Sequence, residues 1–504
     1  MEMWIAGCKL IFSFYPLVAI VGGVAIGIVF GSIPGLTAAM AVALCLPLTF
    51  GLDPVTGLAL LCGLYVGGIS GGLIAACLIN IPGTPSSIAT CFDGHPMTKR
   101  GEAGRAMGIG ILYSFLGLSL GMIVLVFMAP VVARFALRFG PFEYFSVAVF
   151  SLMLVAGLSG KDLFKGIATA LLGLIFAMVG LAPHDSVKRF TLGISAFDGG
   201  FSLLAVLTGI FAISEILKEA ETRKGGDYVK VPPFNMPGFF GLLPGEFKQQ
   251  MGNLFRSAGI GTIIGILPGI GGATSNLLAY SAAKDSSKYP EKFGTGIADG
   301  IVASETANNA TIAGAMVTLI ALGIPGDSVT AMMLGGFMIH GIQPGPLLLQ
   351  SNGDLIYALF VALMVSNIAM IILEYYGIRI FAKLLQVPKS YLFPVIIVMC
   401  IVGAYGVNNR VFDALSLLGF GLFGYAMIKC KFPVTPFILG FVLGPIIEEK
   451  LRTGLMSSNN DLTPLITRPI SAFFLISAVL YLVYIGWRSH RKDKKENEFA
   501  DLMD

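Results

Sequence analysis

Residues 308–326 read NNATIAGAMVTLIALGIPG, and residues 65–83 read YVGGISGGLIAACLINIPG. Both runs are nineteen residues long and end in Ile-Pro-Gly, and Gly71 of one falls on Gly314 of the other. Working outward, each run is preceded by a second Pro-Gly break. The first half has Gly31-Ser-Ile-Pro34-Gly35-Leu-Thr37, and the second has Gly265-Ile-Leu-Pro268-Gly269-Ile-Gly271. Pro34 and Pro268 are 234 residues apart, whereas Pro82 and Pro325 are 243 apart, so the second copy has gained nine residues between its motifs. Broken apolar segments at corresponding places in two halves are the sequence mark of a secondary transporter's binding site.

The composition supports a membrane setting for these breaks. The chain is 55% hydrophobic and 12% charged, against about 25% charged in soluble domains, and its mean hydropathy is +0.83. A net charge of +4 carries little meaning by itself. The start of the chain does not read as a cleaved signal, because Lys9 is its only early cation and no small-residue cleavage site follows the first apolar run. Cys8, Cys45, Cys62, Cys77, Cys91, Cys400 and Cys430 are scattered through apolar stretches without metal-ligand spacing, so they read as packing residues without a structural disulfide. No P-loop, nucleophile elbow or metal-ligand cluster is present. Hydrophilic stretches are too short for a soluble catalytic module, and no nucleic-acid partner or cofactor is expected.

Apolar stretches fall near 11–31, 55–80, 106–129, 142–160, 163–182 and 201–217. In the second half they fall near 255–267, 297–322, 354–376, 391–406, 412–428, 434–447 and 470–487. About twenty apolar residues span a bilayer, so 36–50 and 271–283, each following a Pro-Gly break, read as halves of broken helices or hairpins reaching the midplane. Lys and Arg in short loops set orientation. The tail with Arg488, Arg491, Lys492, Lys494 and Lys495 is therefore expected to be cytoplasmic. So is the linker with Lys218, Arg223, Lys224, Lys230, Lys248 and Arg256. Lys99, Arg100 and Arg105 follow the first Ile-Pro-Gly, whereas residues 326–378 contain no Lys or Arg. The equivalent loops thus face opposite sides, which makes the repeats inverted. Arg134, Arg138, Lys188, Arg189, Arg410, Lys450 and Arg452 fit this orientation poorly.

Proline removes a backbone donor and clashes with the preceding turn, so a Pro-Gly inside an apolar helix frees carbonyls and amides. Unpaired backbone survives in a membrane only around a protein-lined or wet cavity. Half-helix N-termini attract carboxylates, and freed carbonyls ligate sodium. The expected substrate site therefore comprises Pro34, Gly35, Thr37, Pro82, Gly83, Thr84 and Ser86 from the first half, with Ser87 beside them. From the second half it takes Pro268, Gly269, Thr274, Ser275, Asn276, Pro325, Gly326, Asp327 and Ser328, with Thr330 beside them. The competing reading is close helix packing by small residues. Glu305, Asn308 and Asn309 are candidates for a coupling-cation or proton site, with sodium at most loosely held. For Glu305 a paired structural carboxylate weighs equally. Asp93 and His95 fit either a gate or a capped turn. Lys161, Lys165, Arg379 and Lys383 read as boundary cations. The tail after Trp487 reads as a solvated run touching anionic lipid.

The segments IPGTPSSIATCFDGHPM (81–97) and GIADGIVASETANNATIAGAMVTLIALGIPGDSVTAMMLGGFMIHGIQPGP (296–346) resemble the large permease subunit of the tripartite tricarboxylate transporters, the TctA family. The resemblance runs from about residue 16 to 470. It implies a bacterial inner-membrane permease working with a small four-helix membrane subunit and a periplasmic substrate-binding protein, taking up citrate-like di- or tricarboxylates on an ion gradient. Two positions depart from the family pattern. Ser304 stands where Pro is common before the Glu, and Ile69-Ser70 stands where an aromatic more often precedes the glycines.

The fold expected is an all-α polytopic membrane protein with about 11–13 transmembrane helices, broken or re-entrant hairpins and two inverted repeats. The first repeat covers 1–217, the linker 218–250, the second repeat 251–487 and the basic tail 488–504. The function expected is ion-driven carboxylate uptake by alternating access, as an elevator or by rocking. The alternatives are a passive anion channel, a symporter without a binding protein and, more weakly, a membrane-embedded enzyme.

Overall fold

Segments that are hydrophobic all round form buried or membrane-spanning helices, and helices dominate this chain. The computed structural model describes residues 2–158, 163–222, 238–385 and 389–500. In chain order the first helices are α1 (Glu2–Ile11), α2 (Phe14–Ser32), α3 (Ala38–Thr49), α4 (Pro54–Ser70), α5 (Gly72–Ile79) and α6 (Ile88–Lys99). Next come α7 (Ala103–Ala136), α8 (Pro141–Leu158), α9 (Leu163–Ala177), α10 (Leu203–Thr208) and α11 (Ser214–Thr222). The second half holds α12 (Glu246–Gln249), α13 (Met251–Ile266), α14 (Gly271–Asp285), α15 (Ala298–Leu322), α16 (Ser328–Ile339), α17 (Leu348–Ser351) and α18 (Gly353–Leu384). It closes with α19 (Lys389–Asn408), α20 (Val411–Lys429), α21 (Val434–Ser457), α22 (Pro464–Thr467) and α23 (Pro469–Ala500). The described strands are β1 (Gly180–Leu181) and β2 (Lys188–Arg189), paired antiparallel.

By length and composition α2, the α4–α5 pair, α7, α18, α19, α20 and α23 can cross a membrane, while α3, α8, α9 and α16 are shorter apolar helices. This is the expected all-α polytopic membrane protein. Lys161, the linker cations Arg223, Lys224 and Lys230, and residues 501–504 lie outside the described residues, as do the side chains of the basic tail from Arg488. The backbone of that tail continues α23 as far as Ala500.

The chain divides into two compact units, and each draws on both sequence halves. Residues 135–203 and 423–504 make one. There α9 lies against α21 so closely that a Cβ at Gly173 or Gly440 would meet the carbonyl oxygen of Phe437 or Ala170. Ser146 of α8 and Ser471 of α23 share a hydrogen bond of 2.7 Å. Several awkward cations are matched here by acids: Arg189 and Arg452 both pair with Glu448, and Lys188 pairs with Asp198 at 2.6 Å.

Residues 1–134 and 204–422 make the other unit, which contains all four Pro-Gly breaks. Its frame is two helix pairs, α2 along α4 and α13 along α15. Glycines at four-residue spacing let the backbones touch. A Cβ at Gly27 would lie 2.6 Å from the Leu64 carbonyl oxygen, and one at Gly261 would lie 2.3 Å from that of Ala307. One turn on, a Cβ at Gly31 would lie 2.3 Å from the Gly68 carbonyl oxygen, and one at Gly265 would lie 2.4 Å from that of Thr311. Gly27 and Gly31 map onto Gly261 and Gly265 by the 234-residue offset, and Leu64 and Gly68 onto Ala307 and Thr311 by the 243-residue offset. The repeat read from the Pro-Gly motifs is therefore a repeat of packing. α15 is the best-covered helix, with residues 300–321 buried throughout.

Candidate functional site

The four breaks take matching backbone shapes in the two halves. After α2 the chain is extended at Ile33 and left-handed at Gly35 (φ +89°); after α13 it is extended at Leu267 and left-handed at Gly269 (φ +72°). α5 ends on Asn80 at φ 56° and α15 on Gly323 at φ 72°, again equivalent positions. Glycine or asparagine suits this left-handed helix end. Each Ile-Pro-Gly then rests on the preceding break: a Cβ on Gly83 would meet the Gly31 carbonyl at 2.1 Å, and one on Gly326 that of Gly265 at 2.6 Å. The Gly269 N–H donates to the Gly326 carbonyl at 2.7 Å, which ties the second half's two breaks together. Pro268 and Pro325 are buried, Pro34 and Pro82 half-buried.

The segments that follow cross over to the other half. α6 packs on α14 and α15, and α16 packs on α3 and α4. The Ala89 N–H donates to Asn276 Oδ1 at 2.8 Å, and Asn276 Nδ2 donates to the Ser304 carbonyl at 3.3 Å. The Thr90 hydroxyl donates to Glu305 Oε1 at 2.5 Å and the Ser114 hydroxyl to Glu305 Oε2 at 3.1 Å. In the reverse direction, the Tyr65 hydroxyl donates to Asp327 Oδ2 at 2.5 Å. Tyr65 occupies the position equivalent to Asn308.

A group of sites converges where these tips meet. A Cβ at Gly272 would lie 2.7 Å from Ser86 Oγ and 2.9 Å from Asn308 Oδ1, and one at Gly271 would lie 3.4 Å from Asp327 Cβ. Thr37 caps α3 by accepting from the Met40 N–H at 3.2 Å. Its equivalent, Gly271, has no side chain, and α14 begins without a side-chain cap. The first turn of α14, beside Ser86 and Asn308, thus keeps its N–H groups without a side-chain capping oxygen, the arrangement that favours an anion. Asn308 is one turn from Glu305, towards whose carboxylate its amide N–H is directed, while its Oδ1 has no hydrogen-bond partner although the residue is 1% exposed. Thr84 Oγ1, Thr306 Oγ1 and Asn309 Oδ1 are buried and unpartnered as well. A buried polar atom left without a partner costs about 1–3 kcal/mol, so Asn308 beside Gly272 and Ser86 calls for an occupant.

Other expected site residues are spent on structure. Ser275 Oγ bonds Thr311 Oγ1 at 2.6 Å and the Gly272 carbonyl, and Asn276 bonds Ala89 and Ser304, so both hold helices together. Thr274 and Ser328 are half-buried beside the cluster in sequence. Asp327 is the N-cap of α16, accepting from the Thr330 N–H at 2.8 Å while the Thr330 hydroxyl accepts from the Asp327 N–H at 2.8 Å. The Ser87 hydroxyl makes the equivalent bond to the Thr84 N–H at 3.3 Å. Asp93 lies within α6, fully buried. Its Oδ1 accepts from the Gly294, Gly296 and Ile297 N–H groups at 2.9, 2.7 and 3.0 Å, and Oδ2 accepts from the Tyr280 hydroxyl at 2.8 Å. With Arg100 donating to the Thr295 carbonyl at 2.7 Å, it anchors the strap before α15. His95 Nδ1 lies 3.3 Å from the Cys77 carbonyl oxygen. Among the described residues no group of three His, Cys, Asp or Glu side chains has metal-holding geometry. Sequence reading missed Tyr65, Gly272, Thr90 and Ser114. Only Tyr65 left a signal, as the residue aligned with Asn308.

Paired broken helices whose tips cross between halves and meet over unpartnered amide and hydroxyl groups define a multi-pass membrane transporter. The model of the tripartite tricarboxylate transporter TctA family matches residues 17–439, and the chain belongs to that family. A protein of Agrobacterium vitis described as "Uncharacterized 52.8 kDa protein in TAR-I ttuC' 3'region" is 33% identical over 479 residues, covering 95% of this chain and 94% of its own length. A second, described as "Uncharacterized protein in TAR-II ttuC' 3'region" from the same organism, is 34% identical over 241 residues, which is 48% of this chain and 99% of the relative. No solved structure matches.

Proposed function

We propose that this chain is the permease through which a citrate-like di- or tricarboxylate is taken up across the bacterial inner membrane. A sodium or proton gradient drives uptake. A periplasmic binding protein delivers the substrate, and a small four-helix membrane subunit stands beside the permease, as family membership implies. The observation that carries the reading is the meeting of Ser86, Gly271, Gly272, Asn308 and Asp327, with Asn308 Oδ1 buried and unpartnered.

In this reading Asn308 Nδ2, the Ser86 hydroxyl and the first-turn N–H groups of α14 receive a substrate carboxylate. Thr84 Oγ1 is a further buried donor on the first tip. Asp327 is a carboxyl beside a site for an anion, so the reading requires a cation or proton that neutralises it to accompany the substrate. That requirement supplies a physical reason for coupling. Glu305, held by Thr90 and Ser114, and the idle Oδ1 of Asn309 remain the cation candidates. Because Ser86, Gly272 and Asn308 are buried, access needs the tips to move. The bias of Lys and Arg among the loops supports an opposite orientation of the two repeats and a cytoplasmic C-terminus.

The test is uptake of labelled citrate, succinate and tartrate into vesicles, with and without a sodium gradient and with and without the binding protein. Uphill, gradient-dependent uptake that needs the binding protein is expected. Downhill flux with neither dependence would establish a channel instead, and uphill uptake without the binding protein a stand-alone symporter.

A further inference from the structure

Glu374 lies inside α18 and is completely buried. Its Oε2 is 2.9 Å from Ser70 Oγ, and its Oε1 is buried without any hydrogen-bond partner. Among the described residues no Lys, Arg or His pairs with it. Ser70 Oγ is also 3.3 Å from Met370 Sδ. The serine has one hydroxyl hydrogen and two acceptors within reach. If Glu374 is ionised it takes that hydrogen and leaves the sulfur unserved. If Glu374 is a neutral acid it donates to Ser70 Oγ, which then donates to Met370, and both contacts are made. An isolated carboxylate in a dry interior is costly, so geometry and solvation favour the same form. A metal ion would find one carboxylate, one hydroxyl and a thioether, whereas hard cations gather about six oxygens.

Ser70 is the last residue of α4, and Gly72 opens α5 across the joint at Gly71. A Cβ at Gly72 would lie 2.7 Å from Thr84 Oγ1, and Gly83 packs on the Gly72 backbone. Glu374 is therefore hydrogen-bonded to the joint that seats the first Ile-Pro-Gly tip. We propose that Glu374 is a proton-binding site whose loading holds this joint closed and whose proton loss to water opens it. The proposal rests on the transporter reading for its consequence, though not for its chemistry. As the acid, Glu374 completes the Ser70–Met370 chain. Once the proton has left to water, the anion has one hydroxyl to face and no counter-cation, and closed packing around it becomes unfavourable.

The ionisable groups around it do not supply that cation. Glu305 of α15 acts on it electrostatically and is itself an acid. Cys62 and Tyr65 of α4, Cys77 of α5 and Tyr113 of α7 form no cations. α2 has only Tyr15, near its start, and α1, which packs further along α18, brings Glu2 and Lys9. Arg379, on α18 itself, is five residues on and faces away around the helix.

The first test uses the purified full chain in lipid and needs neither substrate nor partner. Infrared difference spectra between acidic and alkaline buffer should show a buried carboxylic-acid C=O band for the wild type and for Glu305→Gln. Glu374→Gln should lack it, and Ser70→Ala should shift it. A band unchanged in Glu374→Gln overturns the proposal, and if that variant does not fold, an unshifted band in Ser70→Ala does the same. In vesicles, Glu374→Gln should still exchange labelled citrate but lose accumulation driven by a pH gradient. Wild-type accumulation that responds to sodium alone would also overturn the proton site. If the Glu374 band is present and no carboxylate moves in any variant, the proton site stands and the transport reading falls.

Discussion

The two Ile-Pro-Gly tips share a backbone and differ in what they do with it. In the first, Thr84 Oγ1 is idle and Ser87 bonds back to the Thr84 backbone. In the second, Asp327 is fully engaged by Thr330 and by Tyr65 from the opposite half. The positions that match through the repeat, Gly27 with Gly261, Gly31 with Gly265 and Asn80 with Gly323, are framework. Those that diverge, Thr37 against Gly271, Thr84 against Asp327 and Tyr65 against Asn308, gather at the centre. A symmetric frame thus holds an asymmetric centre.

The comparison breaks most severely if the framework glycines are not equivalent. Gly31→Val and Gly265→Val both force side chains onto carbonyl oxygens, with overpacking that costs about 1–3 kcal/mol or more in each half. Both variants should lose folded, membrane-inserted protein in detergent size-exclusion profiles, and tolerance of one alone would dissolve the equivalence. Next comes the asymmetric centre. Asn308→Ala and Thr84→Ala should abolish or cut uptake by about ten- to a hundredfold while protein in the membrane stays at wild-type level. Wild-type transport in both would remove the site.

A smaller effect is expected at the cross-half contact. Tyr65→Phe removes one hydrogen bond to a carboxylate, worth about 1.5–3 kcal/mol, and should weaken uptake several-fold in a labelled-citrate assay without altering the frame. Smallest is Asn276→Ala, which leaves the Ala89 N–H unpaired at a cost of about 1–3 kcal/mol. It should lower the thermal midpoint while the uptake rate per folded molecule stays near wild type. A large fall in that rate would return Asn276 to the substrate site.

The frame was legible because proline and glycine act locally. Pro34, Pro82, Pro268 and Pro325 break helices whatever surrounds them, and their spacing exposes the duplication. The assignment of side chains was less legible. Ser275 and Asn276 are the right residue types after a break, but only the packing of α14 on α15 and α6 decides that they face neighbours. α6 was hidden because Gly94 and Pro96 lie within it, so Asp93 read as a gate or a capped turn when it is an anchor. Glu374 went unread in the apolar stretch 354–376, and its partner Ser70 is 304 residues away, beyond the reach of any local pattern.

The central claim is that Ser86, Asn308 and the start of α14 enclose the carboxylate. The most direct measurement is labelling of Ser86→Cys by a small membrane-permeant thiol reagent in vesicles, read against the unsubstituted chain, with and without a transported carboxylate. The account predicts that the thiol reacts as the tips open and that citrate or another transported carboxylate protects it in a saturable way. Labelling at the same rate in the presence of every transported carboxylate would contradict it.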